Sequence, residues 1–363
     1  MKKVSIYIGR FSPFHNGHAE VLNRARRVSD LVIVLIGSAN KAKNPKNPWS
    51  FDERAKMIEA YNAAKDGCPV IIRQIRDYPY NDQKWIANVH NVINNTIDSL
   101  DCDKSQLDIR ITGADRDSTT FYLKFFPEFK LDLVEEDFEV SKHLNATSVR
   151  EILFGLSFNS VPISEGQAEL LLTSFLPRST VNFLSAYEKT DSFKVMKDEH
   201  IFNVNYKNQF KSLPYEPIFH TVDACVIQTG YVLLVRRRSY PGKGLWALPG
   251  GFLNAHERLI DGAIRELREE TKLKVPEPIL RGSLKYNKNF DHPERSIRGR
   301  TITTAFLFVL PDFVQDGKIN LPVVKGSDDA EKAMWVPIDE VLKNPENLFE
   351  DHADIIETFL GKI

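Results

Sequence analysis

The chain has 363 residues, 42% of them hydrophobic, which is long for one typical domain and ample for two cores. Its 48 Lys and Arg against 49 Asp and Glu leave a formal net charge of −1 with the signs interspersed, so no nucleic-acid-binding surface is expected. The start, Met1-Lys-Lys-Val-Ser-Ile-Tyr-Ile-Gly-Arg10, has too short an apolar run for a signal peptide and no stretch reaches membrane-spanning length. With Cys68, Cys102 and Cys225 far apart and odd in number, a cytoplasmic protein with reduced core thiols is expected.

The first half alternates apolar runs with helical patterns. Strands are predicted at Val4 to Gly9, Leu31 to Gly37, Val70 to Ile75, Ile109 to Gly113 and Lys130 to Val134. Helices are predicted at Ala19 to Val28, Phe51 to Ala64, Trp85 to Ser99 and Ser148 to Leu153, with more helix from Glu165 to Tyr187. Such βαβ alternation implies a parallel, doubly wound sheet. The first strand runs into Gly9-Arg-Phe-Ser-Pro-Phe-His15-Asn-Gly-His18 and then a helix, where free N–H groups and the positive dipole end attract phosphate. Gly9 and Gly17 permit close approach there, and His15 and His18 can donate to phosphoryl oxygens. Farther on, Leu144-Asn-Ala-Thr147-Ser148-Val-Arg150 opens another helix, with Thr147 as its expected cap and Arg150 as a fork-shaped cation for a triphosphate tail.

Both motifs resemble the His-x-Gly-His nucleotidyltransferase superfamily, whose second signature, Ile-Ser-x-Thr-x-x-Arg, is matched at Thr147 and Arg150 but carries Asn145 where the family has serine. Within it, Asn47-Pro-Trp-Ser-Phe-Asp-Glu53-Arg54 and Asn81-Asp82-Gln83-Lys84-Trp85-Ile86 look like nicotinamide mononucleotide (NMN) adenylyltransferases. The resemblance implies a Rossmann-like domain in which His15, His18 and Arg150 are catalytic, while Gly9, Arg10, Phe11, Gly17, Thr147 and Asn81 line the nucleotides. It also implies that Trp85 stacks on the nicotinamide ring; large aromatics are usually buried for packing, so a plain core role is the competing reading. Asp115, in Thr112-Gly113-Ala114-Asp115-Arg116-Asp117, ends a strand at the carboxyl edge, where adenine or ribose contacts are plausible.

Between Glu188 and Pro217 the chain turns polar with no sustained period, and a linker or arm is placed at 188–214, separating domains at 1–187 and 215–363. Beyond it a hairpin is predicted, Asp223 to Gln228 and Tyr231 to Arg236, turning at Thr229-Gly230, with a later strand at Thr301 to Leu310. Between them the helix from Leu259 carries an apolar sector, and on a wheel of about 100° per residue Glu266, Glu269 and Glu270 fall near −20, −80 and +20°. Three crowded carboxylates, one overlapping the apolar face, point to a hard divalent cation, Mg²⁺ with Mn²⁺ as the alternative.

The run Gly251 to Leu273 resembles a Nudix box, Gly-x5-Glu-x7-Arg-Glu-U-x-Glu-Glu-x-Gly-U with U aliphatic, except that Lys272 stands where the family has glycine. The resemblance implies an α/β/α domain that cleaves nucleoside diphosphates linked to another moiety, with Glu266, Glu269 and Glu270 as metal ligands and Arg265 orienting Glu266. After the box, Asp291-His-Pro-Glu-Arg295-Ser-Ile-Arg298-Gly299-Arg300 looks like the segment of ADP-ribose-preferring relatives. Alternation along an incoming strand would send Arg298 and Arg300 to one face, where they could clamp the substrate.

Together the halves resemble bifunctional NMN adenylyltransferase/Nudix hydrolases, which implies ATP, NMN, NAD and ADP-ribose as small-molecule partners. Two other readings stay open: a different nucleotidyltransferase in the first half, and a second half that senses ADP-ribose without turnover. Oligomeric state is left open, a homo-oligomer included.

Overall fold

The computed structural model describes residues 1–63, 65–100, 104–114, 124–134, 145–315 and 317–363. It divides into two compact units, Met1–His200 and Ile201–Ile363. No helix among the described residues is long and apolar enough to cross a membrane.

The first unit is built on β1 (Lys2–Gly9), α1 (Asn16–Val28), β2 (Leu31–Ile36), α2 (Phe51–Asn62), β3 (Val70–Gln74), α3 (Asp82–Asp98), β4 (Leu107–Ala114), β5 (Lys130–Val134) and α4 (Ala146–Gly155). The five strands form one parallel sheet in the order β3-β2-β1-β4-β5, as the alternation predicts. Period-two alternation assigns β2 to two cores: Val32, Val34 and Ile36 pack with α1 and α2 residues, and Ile33 and Leu35 with Val89, Ile93 and Ile97 of α3. A two-residue-stranded hairpin, β6 (Ser157–Phe158) and β7 (Val161–Pro162), leads to α5 (Glu165–Phe175) and α6 (Arg178–Tyr187), which split the predicted 165–187 helix at Pro177. Proline has no N–H to continue a helix but suits its start. Cys68 is only half-buried rather than a core thiol, whereas Cys225 is fully buried; Cys102 lies outside the described residues.

The stretch read as a linker or arm holds an 18-residue helix, α7 (Asp191–Asn208), and the division between the units falls within it. Its sequence shows no period because its apolar side chains do not gather on one stripe; Val195, Ile201 and Val204 remain exposed.

The second unit has a seven-stranded mixed sheet. Its centre is β8 (Phe219–Gln228), joined to β9 (Tyr231–Arg237) by Thr229 and Gly230, both at positive φ (47° and 77°), the geometry a two-residue hairpin loop needs. β10 (Trp246–Ala247) pairs with β9, and β11 (Gly250–Phe252) with β8. Then come α8 (Leu259–Thr271), α9 (Glu277–Gly282), β12 (Leu284–Phe290) and β13 (Thr301–Val309), which lies parallel to β8. A small hairpin, β14 (Val314–Gln315) and β15 (Lys318–Ile319), precedes β16 (Ala330–Pro337), α10 (Ile338–Lys343) and α11 (His352–Leu360). Ala263, Ile264 and Leu267 of α8 pack on Val222, Ala224 and Val226 of β8 and on Phe306 and Phe308, which leaves the carboxylate side of α8 facing β11.

Candidate functional site

In the first unit the groups expected to bind phosphate meet at the carboxyl end of β1. His15 donates its backbone N–H to Nδ1 of His18 at 3.3 Å, and the two imidazoles stack with centroids 3.7 Å apart. Arg150, 7% exposed, reaches this loop from α4: Nη1 donates to the Ser12 carbonyl at 2.5 Å and Nη2 to Thr147 Oγ1 at 3.0 Å. Residues 138 positions apart thus share one corner. The loop is pinned from the far end of the unit as well, by Asn16 Nδ2 on the Ser174 carbonyl (2.9 Å) and Thr180 Oγ1 on the Phe14 carbonyl (2.9 Å).

Several expected roles change. Thr147 is not the cap of α4; Asn145 is, its Oδ1 accepting from the Ser148 N–H at 2.9 Å. An asparagine amide oxygen caps as well as a serine hydroxyl, so the departure from the family pattern leaves the helix start capped. Thr147 instead holds Arg150. Phe11 is 1% exposed and lies edge-on to His18 (4.9 Å), so its ring braces the histidine from the core. A Cβ on Gly9 would stand 2.9 Å from that ring, which makes Gly9 a seat for Phe11. Arg10 is exposed and Gly17 half-buried in the first turn of α1. Asn81 caps α3, accepting from the Lys84 N–H at 3.0 Å. Trp85, half-buried, packs beside Phe126 with centroids 5.9 Å apart. Asp115 lies outside the described residues.

Arg54 carries a weight that the sequence did not single out. Fully buried, it donates to the carbonyls of Arg10 (2.8 Å), Gly37 (2.7 Å), Ser38 (3.3 Å) and Ser50 (3.2 Å), tying the ends of β1 and β2 to the start of α2. Burial lowers its pKa to about 10, which still leaves it charged at neutral pH.

In the second unit α8 presents its carboxylates to β11. Arg265 joins two of them to Glu257, which precedes the helix: Nε and Nη2 hold Glu257 (2.9 and 2.7 Å), and Nη1 holds Glu266 (2.8 Å) and Glu269 (2.9 Å). The expected orientation of Glu266 by Arg265 is therefore present, and Glu257 is a further partner. Glu270 is 7% exposed and, among the described residues, bonds to the Gly250 N–H at 3.0 Å. Burial pushes its pKa up to about 8, and burial also raises that of Glu266. A Cβ on Gly251 would lie 2.6 Å from Glu266 Oε1, so a side chain there would have to displace that carboxylate. Among the described residues no three His, Cys, Asp or Glu side chains stand arranged around a single ion position, and Arg265 Nη1 bridges Glu266 and Glu269. Lys272 adopts the left-handed conformation (φ 52°, ψ 26°) that the family's glycine would take freely.

Arg298 and Arg300 do not share a face. They precede β13, and Gly299 between them (φ 143°) breaks strand alternation. Arg298 lies over the Phe252 ring at 5.2 Å, beside the carboxylate site, whereas Arg300 Nη1 is spent on the Asp291 carbonyl at 2.5 Å. The loop between them and β12 is anchored by a buried ion pair, Arg295 with Asp351 (2.9 and 2.8 Å), and next to it His352 Nδ1 accepts from the Leu248 N–H at 2.8 Å. Nothing periodic in the sequence signals this network.

The cytidylyltransferase-like family model matches residues 6–136, and the NUDIX domain model residues 218–359. The crystal structure of a bifunctional NMN adenylyltransferase/ADP ribose pyrophosphatase from Francisella tularensis, complexed with AMP and a Mn ion, is 33% identical and covers 99% of both chains with a TM-score of 0.85. The chain belongs to this bifunctional family. Each half of the bifunctional enzyme also has its own relative. The nicotinamide/nicotinic acid mononucleotide adenylyltransferase of Acinetobacter baylyi is 31% identical over 54% of this chain and 92% of its own length. The ADP-ribose pyrophosphatase of Methanocaldococcus jannaschii is 31% identical over 38% of this chain and 71% of its own.

Proposed function

We propose that the first unit transfers the adenylyl group of ATP to NMN, yielding NAD and pyrophosphate, and that the second hydrolyses ADP-ribose to AMP and ribose 5-phosphate. The observation that supports the first activity is the meeting of Arg150 with the His15–His18 loop. The NMN phosphate is already an anionic nucleophile, so its oxygen attacks the α-phosphorus of ATP as the bond to pyrophosphate breaks, and no base is required. His15, His18 and Arg150 then act by aligning phosphates and neutralising charge.

For the second activity the donor set suits a hard divalent cation, Mg²⁺ or Mn²⁺. Glu270 is a carboxylate desolvated without a bonded cation, and a metal ion would compensate what burial costs it. Glu266, Glu269 and Glu270 would hold the ion. Bound there, it supplies charge for the diphosphate and acidifies a water. Arg265 keeps Glu266 and Glu269 in place by its two Nη1 bonds, and Arg298 offers a guanidinium to the diphosphate from above Phe252. Intact Glu266, Glu269 and Glu270 argue against a purely sensing role. The experiment is direct: incubate the protein with ATP, NMN and Mg²⁺, and separately with ADP-ribose and Mg²⁺, and identify the products. NAD in the first and AMP in the second are expected; absence of either overturns that half.

A further inference from the structure

In the second unit a closed ring of contacts joins the arginine side of the site to its carboxylate side, and the ring closes at the start of α11. Asp351, the residue before that helix, accepts from Nε and Nη2 of Arg295 (2.9 and 2.8 Å), both residues being buried. Three residues on from Arg295, Arg298 lies over the Phe252 ring at 5.2 Å. Phe252 ends β11, the strand that begins at Gly250. Two residues before Gly250, the Leu248 N–H donates to Nδ1 of His352 at 2.8 Å, and His352 is the first residue of α11. Glu270 hangs from this ring by the Gly250 N–H at 3.0 Å, and Arg298 stands on it.

Each link fixes a position. A buried ion pair adds little net stability, but two parallel N–H···O bonds admit one geometry, so the Arg295–Asp351 pair holds its loop in register with α11. On the other arm the Leu248 N–H is buried, and removing its acceptor would leave it unsatisfied. Because Nδ1 accepts there and burial lowers the pKa of His352, the ring is neutral with its proton on Nε2, 3.9 Å from Asp223 Oδ1. The turn that His352 holds has little room to shift. Its Pro249 carbonyl accepts the Ala224 N–H at 2.8 Å, and a Cβ on Gly250 would meet the Val222 carbonyl oxygen and Asp223 Oδ1. The segment before α11 is docked as firmly: the Phe349 N–H donates to the Trp246 carbonyl at 2.8 Å, and Glu350 is held at φ 47°, a backbone that a residue other than glycine keeps only where its surroundings fix it.

We infer that Asp351 and His352 are a positioning pair for ADP-ribose hydrolysis: Asp351, through Arg295, sets where the Arg298 guanidinium meets the diphosphate, and His352, through the Leu248–Gly250 turn, sets where Glu270 meets the divalent cation. This rests on the proposed hydrolysis and on the cation that Glu266, Glu269 and Glu270 would hold. The two residues are adjacent in sequence but reach opposite sides of the ring, so their effects separate into substrate binding for Asp351 and metal binding for His352.

The test uses the full chain and reads the arms apart: calorimetric titration with Mn²⁺ alone, without substrate, and steady-state ADP-ribose hydrolysis at saturating Mn²⁺. His352→Leu, which removes the acceptor, should weaken Mn²⁺ binding by about tenfold or more and change KM for ADP-ribose by less than about twofold. His352→Asn sets an Oδ1 where Nδ1 stood and should bring Mn²⁺ binding back to within about threefold of wild type. Asp351→Asn should raise KM for ADP-ribose by about tenfold and change Mn²⁺ binding by less than about twofold. The thermal transition reports whether each variant is folded. Should His352→Leu not fold, His352→Gln, whose polar group lies one bond farther out, replaces it with the same expected loss; should Asp351→Asn not fold, Arg295→Lys, which keeps the charge but not the paired bonds, replaces that. Loss of the split between Mn²⁺ affinity and KM in either folded variant, or no recovery in His352→Asn, overturns the inference while leaving ADP-ribose hydrolysis standing. A wild-type protein that binds no Mn²⁺ or releases no AMP from ADP-ribose overturns the underlying reading instead.

Discussion

Glu270 accepts the Gly250 N–H at 3.0 Å, so the most buried carboxylate of α8 is tied to the strand that passes beneath it rather than to a cation. Burial is the largest cause of its pKa of about 8, against an ordinary 4.5, with the Glu266 charge adding to it and the Gly250 bond opposing. Between those values the folded protein keeps a proton that the unfolded chain has released. Stability from this group is therefore full below about 4.5 and is lost as pH rises through about 8. In metal-free protein Glu270→Gln should raise Tm at pH 8.5 by about 3 °C or more beyond its effect at pH 5.5. Thermal scans at the two pH values check this, and an equal shift at both would contradict it. Added Mg²⁺ should flatten the wild-type slope, since it binds the ionised form.

Lys272 closes α8 in the left-handed region. A glycine adopts it without crowding Cβ against the following carbonyl, so Lys272→Gly should stabilise the second unit by about 1 kcal/mol and leave hydrolysis unchanged. Chemical denaturation measures it; a loss of stability would show that the lysine side chain contributes more than its backbone strain costs.

His18 stacks on His15 beside Phe11 in the first unit, whereas the α8 carboxylates belong to the second. His18→Ala should lower kcat for adenylyl transfer about a hundredfold or more while ADP-ribose hydrolysis stays at the wild-type rate. Parallel loss of both activities in a folded variant would mean the two chemistries are not separately housed.

Arg298 and Arg300 differ in what they are free to do. Arg298→Ala should raise KM for ADP-ribose by about tenfold, whereas Arg300→Ala, whose guanidinium already serves the Asp291 carbonyl, should change it by less than about threefold. Equal effects from the two would restore the picture of a shared clamp.

The parallel sheet, the hairpin at Thr229-Gly230 and the amphipathic α8 were legible because each depends on local period and turn chemistry: β2 alternates between two cores, and Ala263, Ile264 and Leu267 recur at helical spacing. The His15–His18 loop and the α8 glutamates were legible for the same reason, since a motif is a local arrangement. What needed the tertiary structure is what depends on contacts distant in sequence. Arg150 meets Ser12 across 138 residues, and Arg295 finds Asp351 across 56. The cap of α4 passed from Thr147 to Asn145 because helix starts are set by which oxygen reaches the free N–H, not by which residue matches a pattern. Arg298 and Arg300 parted because a strand's alternation begins only where its ladder does, at Thr301, and Gly299 turns the chain before it. Sequence thus determined which groups the protein carries to each site; the long-range packing decided which of them are free to act there, because a guanidinium or amide already bonded to a backbone carbonyl has fewer donors left for a substrate.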